Sequence, residues 1–122
     1  MMILVAGPYR SGTGDDPALI AENNRAMNEA ALELFRRGHL AVTGEMLALP
    51  LLETAGSRGL DDEAFAEIFH PVARMLLPRC DAVVRIGGAS VGADEMVAIA
   101  REHGLPVFFD VAEVAAVDIP AS

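Results

Sequence analysis

Ile3-Leu4-Val5-Ala6-Gly7-Pro8-Tyr9-Arg10-Ser11-Gly12-Thr13-Gly14 is the stretch that decides the fold. Its first four residues are apolar without alternation, the pattern of a strand buried on both faces of a parallel sheet. Gly7-Pro8 closes the strand, and a loop rich in Gly, Ser, Thr and Asp runs on to Asp16. Asp16-Pro17 reads as a helix start, with Asp as the N-cap and Pro at the first helical position. Ile20, Met27, Ala31 and Leu34 recur at helical spacing, and Arg36-Arg37-Gly38 ends the helix with cations and a glycine.

The same alternation continues along the chain. A second short strand is expected over His39–Thr43, then a connection with a short apolar helix at Met46–Thr54. Asp61 or Asp62 caps a second long helix with Phe65, Ile68, Phe69, Val72, Met75 and Leu76 on its apolar stripe. Pro71 lies inside it and predicts a kink or break there. A third strand is expected over Asp81–Ile86, followed by Gly87-Gly88-Ala89-Ser90-Val91-Gly92, a helix over Ala93–His103, and a fourth strand over Leu105–Phe109. A last helical turn fits 110–116. Strands alternating with helices imply one α/β domain over 1–122, a flavodoxin-like or Rossmann-like parallel sheet of four to five strands with helices on both faces. Order 2-1-3-4 is the natural doubly wound solution. Its switch point lies between strands 1 and 3, so the two glycine-bearing loops face each other where such sheets bind ligands.

Composition narrows the function. The 122 residues carry 18 acidic and 9 basic side chains, a formal charge of −9, which disfavours non-specific binding to nucleic acid or an anionic membrane. Every basic residue is Arg; the absence of Lys removes Schiff-base chemistry and a Walker-type P-loop. The single cysteine, Cys80, excludes an internal disulfide framework and reads as an inert core thiol. His39, His70 and His103 show no metal-ligand spacing, and no metal or cofactor is implied. No apolar run approaches the roughly 20 residues that span a bilayer, and the apolar start reads as a first strand instead of a signal peptide. A cytoplasmic protein is the expectation, and the small, highly apolar chain suits a homodimer or larger homo-oligomer.

The chemistry is expected in the loops. In the first, Gly7, Pro8, Tyr9, Arg10 and Ser11 can meet a ligand. Glycine admits close approach, Tyr9 can stack on a sugar or base, and Arg10 can grip a phosphate or carboxylate with two prongs. In the second, Gly88, Ser90 and Gly92 open a helix whose free amides suit an anion. The spacing is not that of the dinucleotide fingerprint. Asp94 and Glu95 fall in that helix's first turn, either as partners of the helix dipole or as a nucleophile or general base. Glu45 follows strand 2 at its carboxyl end. One of Asn23 and Asn24 lines the pocket or caps a packing edge, and His70, beside Pro71, is either a polar group at a helix break over the site or, the preferred reading, a surface residue.

Taken in order, Ile3–Gly12, Cys80–Val84, Ser90–Ala93 and Gly104–Val107 resemble the nucleoside 2-deoxyribosyltransferase-like superfamily, over roughly residues 2–110. The resemblance implies a Rossmann-like homo-oligomer that cleaves the N-glycosidic bond of a deoxynucleoside or its 5′-monophosphate. It implies that Gly7, Arg10 and Ser90 hold the phosphate. A carboxylate would attack the anomeric carbon as in a retaining glycosidase, with water or another base taking the sugar. The family's nucleophile position falls on Met96, with Glu95 one residue early, a helical rotation of about 100°. The family's second acid falls near Ala73, with Glu67 and His70 a turn earlier. Three outcomes are weighed: glycosidic catalysis by Glu95 or Asp94, a nucleotide-binding module that has lost its nucleophile, or a different nucleotide-processing reaction that uses Glu45 as its catalytic residue.

Overall fold

The computed structural model describes residues 1–119. Strands β1 (Met2–Ala6), β2 (Leu40–Thr43), β3 (Ala82–Arg85) and β4 (Val107–Phe108) form one parallel sheet in the order β2-β1-β3-β4. Helices α1 (Pro17–Arg36), α2 (Gly44–Thr54), α3 (Glu63–Leu76) and α4 (Val91–Glu102) connect them. A 3₁₀ turn precedes β3 and another follows β4.

The unbroken apolar run of β1 has a direct cause. Ile3 and Val5 point to one face and meet Met27, Ala31 and Leu34 of α1, with Val111 and Val114 of the C-terminal segment. Leu4 and Ala6 point to the other and meet Leu76, Leu77, Ala93, Met96 and Ala100 from the α3 and α4 side. Both faces of the strand are covered, so period-2 alternation has no role. α2 and α3 build a smaller core of their own from Ala48, Leu52, Phe65 and Phe69.

The helix starts follow their caps. The Asp16 side chain accepts from the Ala18 amide, the Thr43 hydroxyl from Met46, Asp62 from Phe65, and Ser90 from Ala93. Ser90 therefore starts α4 two residues before the expected Ala93. β4 is shorter than expected, reduced to the two residues that pair with Val83 and Val84. The final turn is likewise short, Val111–Glu113.

The expected kink or break at Pro71 does not interrupt α3, which runs as one helix from Glu63 to Leu76. Proline removes one backbone donor, whose partner would be the carbonyl of Glu67. Glu67 is exposed, so water can serve that carbonyl, while Phe65, Phe69 and Leu76 anchor the helix on its buried side. Pro50 inside α2 is accommodated in the same way beside exposed Met46.

At the amino ends of the strands, His39 is buried between the Met1 amine, which donates to Nδ1 at 3.0 Å, and the Ala115 carbonyl, which accepts from Nε2 at 2.7 Å. Arg37 adds a bond from Nη1 to the Val114 carbonyl, and its own carbonyl accepts from the Val117 amide at 2.7 Å. The C-terminal segment is thus tied over the end of α1. Gly38 makes this approach possible: its φ is +92°, and a Cβ there would stand 2.1 Å from the Val117 carbonyl oxygen. Gly38→Ala is expected to cost roughly 3 kcal/mol in urea denaturation. Gly104→Ala, at φ +70° in open space, should cost only about 1 kcal/mol.

Candidate functional site

Three consecutive chain connections leave the carboxyl edge of the sheet side by side. Pairing of Val5 with both Thr43 and Val84, and of Ala6 with Arg85, brings the ends of β1, β2 and β3 level. The first loop, the start of α2, and the second loop with α4 therefore surround one cleft of about 600 Å³. α3 forms its far wall.

The two glycine-bearing loops meet directly. Gly87 has φ +77°, and a Cβ on it would lie 2.7 Å from Cδ of Pro8, so glycine is required both for the turn and for the contact. Arg85, at the end of β3, holds the second loop from beneath. It is only 8% exposed; its guanidinium donates to the carbonyls of Ile86 and Gly88 and, at 3.2 Å, to Asp94. Asn23 does the same for the first loop, donating from Nδ2 to the Tyr9 carbonyl at 2.9 Å. Asn24 lines a neighbouring cleft on the far side of Tyr9.

Of the residues expected to meet a ligand, Gly7, Tyr9, Arg10, Ser11, Glu45, Ser90, Gly92 and Glu95 line the cleft. Pro8, Gly88 and Asp94 do not: Pro8 is turned against Gly87, Gly88 presents its carbonyl to Arg85, and Asp94 pairs with Arg85 while remaining exposed. Asp94 thus serves the loop's anchor. The α3 wall adds residues for which the sequence held only indirect signals: Phe65, Phe69, His70, Ala73 and Arg74. Tyr9 packs on Phe69 with ring centroids 4.9 Å apart, and Phe69 stacks on Phe65 at 4.6 Å. His70, read from sequence as a surface group, lies over Gly92, where a Cβ would be 3.1 Å from its Cε1. Glu67 stays outside. Met96 lies in the cleft wall and is buried, with its neighbours in the core between β1 and α4.

The charged groups fall into distinct states. Glu95 accepts from Nε of Arg74 at 2.7 Å, and this bond holds its carboxyl below the usual range, with burial opposing. Glu45, in the first turn of α2, is pushed above its ordinary value of 4.5 by burial, which outweighs the hydrogen bonds that favour its ionised form. Tyr9 is pushed up by burial and by the nearby Glu45 charge. Arg10 is bound to carboxylates: Nε donates to Asp15 at 2.7 Å, and Nη2 to Asp15 and to Asp61, each at 2.9 Å. Those bonds hold the Arg10 proton more firmly and lower Asp15. Cys80 is buried beside the Leu76 carbonyl, its thiol pushed up by burial, away from the cleft. Among the described residues no cluster of three metal-ligating side chains occurs, and no helix is long and apolar enough to cross a membrane.

No protein-family model, curated protein or solved structure matches the chain. The fold and this geometry are therefore what bears on function.

Raised proton affinity at Glu45 carries a linkage consequence. A carboxyl that binds its proton more tightly when folded stabilises the native state at low pH, and that contribution is lost as pH rises from the unfolded value through the folded one. Glu45→Gln should therefore flatten the decline in stability that begins near pH 4.5 and continues upward. Carboxyl-carbon NMR of the wild type should show Glu45 titrating above the other glutamates.

Proposed function

We propose that the cleft breaks or transfers the N-glycosidic bond of a nucleoside or nucleoside 5′-monophosphate. The observation that carries this reading is that Glu45 and Glu95 open into one cleft, the first holding its proton more tightly than usual and the second less. Glycoside chemistry uses an acid and a nucleophile whose proton affinities are divided in this way, which supports the reading. The resemblance of the loop set to the nucleoside 2-deoxyribosyltransferase-like superfamily supports the same class.

In this scheme the ionised Glu95 attacks the anomeric carbon as the bond to the base nitrogen breaks. The base leaves with the bonding pair and takes a proton from Glu45. The resulting glycosyl ester on Glu95 is then opened at the same carbon by water or a second base. Glu45, now ionised, accepts the proton released by that acceptor. Tyr9, Phe69 and Phe65 supply an aromatic wall against which a base or sugar can pack. No resident metal or cofactor is needed for these steps. A cytoplasmic homo-oligomer is the setting we propose.

Chromatographic detection of free base from deoxyribonucleosides and their 5′-monophosphates tests the reading. Wild type should release base. Glu95→Gln should slow release by about 10³-fold or more. Glu45→Gln should slow it about 10²–10⁴-fold and remove the loss of activity at high pH that follows from ionising the acid. A second reading rests on Met96, which stands in the cleft wall where the resemblance sets the nucleophile. It is a nucleotide-binding module without turnover. Saturable ligand binding with no base released by wild type over days would select it.

A further inference from the structure

Resting on that glycosidic reading, we propose that Asp15 and Asp61 make the cleft select an unphosphorylated nucleoside over its 5′-monophosphate, by occupying the arginine that would otherwise grip the phosphate.

Arg10 is the cation of the first loop that faces the cleft, and its fork is already filled. Asp15 takes Nε and one Nη2 hydrogen as a two-pronged pair, Asp61 takes the other Nη2 hydrogen, and the Leu60 carbonyl lies 3.4 Å from Nη1. A guanidinium has five N–H donors; these contacts leave a single Nη1 hydrogen. A phosphate seeking a two-pronged grip meets Asp15 on the Nε/Nη2 edge, and Asp61 with the Leu60 carbonyl on the Nη1/Nη2 edge.

Asp15 is held in position by the loop around it, whereas Asp61 reaches Arg10 from an exposed position. Asp15 has φ +61°, a left-handed conformation that a non-glycine residue adopts at a cost. Gly12 and Gly14 lead into it with positive φ, and its amide donates to the Thr13 hydroxyl, which in turn donates to the Arg10 carbonyl. Asp61 belongs to the connection between α2 and α3. Its neighbour Asp62 gathers that segment by accepting from Ser57, Arg58, Gly59 and Phe65. The clasp thus joins two separately built segments across one side of the cleft.

The remaining charges act in the same direction. Arg74 is likewise occupied, by Glu95 at 2.7 Å. Among the described residues, Asp15, Glu45 and Glu95 line the cleft with Arg10, Arg74 and His70, and Asp61 reaches Arg10 from outside it. A phosphate dianion entering the cleft therefore meets arginines that carboxylates already hold, whereas a neutral sugar hydroxyl can donate to those carboxylates.

The test separates the charge filter from catalysis. Inorganic phosphate is titrated into isotope-labelled protein, and the Arg10 Nε–H and Gly92 amide signals are followed by NMR. Wild type should show no saturable shift in the low-millimolar range. The Asp15→Asn/Asp61→Asn variant should bind phosphate at least about tenfold more tightly, the scale of one charge-assisted hydrogen bond. Asn tolerates the left-handed backbone at position 15, so the loop keeps its shape. Adding Arg10→Ala to that variant should abolish the gain. In the base-release assay, the double variant should shift the monophosphate-to-nucleoside ratio of kcat/KM upward by a similar factor. Equal phosphate binding by wild type and double variant overturns the proposal, as does a gain that survives loss of Arg10. The glycosidic reading fails separately, by absence of base release from every substrate, a result that leaves the phosphate titration readable.

Discussion

The contact between the ends of β1 and β3 is the constraint on which the rest depends. Both strands are buried on both faces, so they can only lie in the middle of the sheet, and they pair with each other there. Their following chains leave in opposite directions, α1 to one face and α4 to the other. The loops diverge above the sheet, but at their roots Pro8 and Gly87 are in contact. A side chain at position 87 would force them apart. The cleft is the space that this divergence opens, and its floor is the sheet edge itself.

Ionic pairing then gives the cleft its character. Arg85 is buried and used structurally, as a latch on the second loop. Arg74 favours the ionised form of Glu95, and burial favours the protonated form of Glu45. Arg10 is balanced by two carboxylates from different segments. Exposed ion pairs of this kind contribute little to stability. Their effect here is on which charges an incoming ligand meets, which is a matter of specificity more than of folding.

Much of the architecture was legible in the chain because the signals were local. Asp16-Pro17 marked the start of α1, and the apolar run Ile3–Ala6 marked a central strand. Pro71 did not break α3, because that outcome depends on whether the orphaned carbonyl can reach water, and exposure is a tertiary property. For the site, proximity to the switch point brought Gly7, Tyr9, Arg10, Ser11, Glu45, Ser90, Gly92 and Glu95 into view. Asp94 could not be told from Glu95 by position alone; one turns to Arg85 and the other to Arg74, partners 9 and 21 residues away. Arg74 was hidden because a helix distant in sequence supplies the far wall, while His70 is both exposed and over the cleft, as its two readings allowed.

The chain by itself determined the alternation of strands and helices, the caps that start each helix, the strand order and the end of the sheet where a cleft would form. Those depend on periodicity, turn residues and the handedness of crossovers, all set over short spans of sequence. Only the tertiary structure decided the state of the charges. Whether Arg10 is free or clasped, and whether a glutamate binds its proton more or less tightly, depends on partners 5, 21 and 51 residues away and on how much water remains around them. Sequence adjacency carries no record of either.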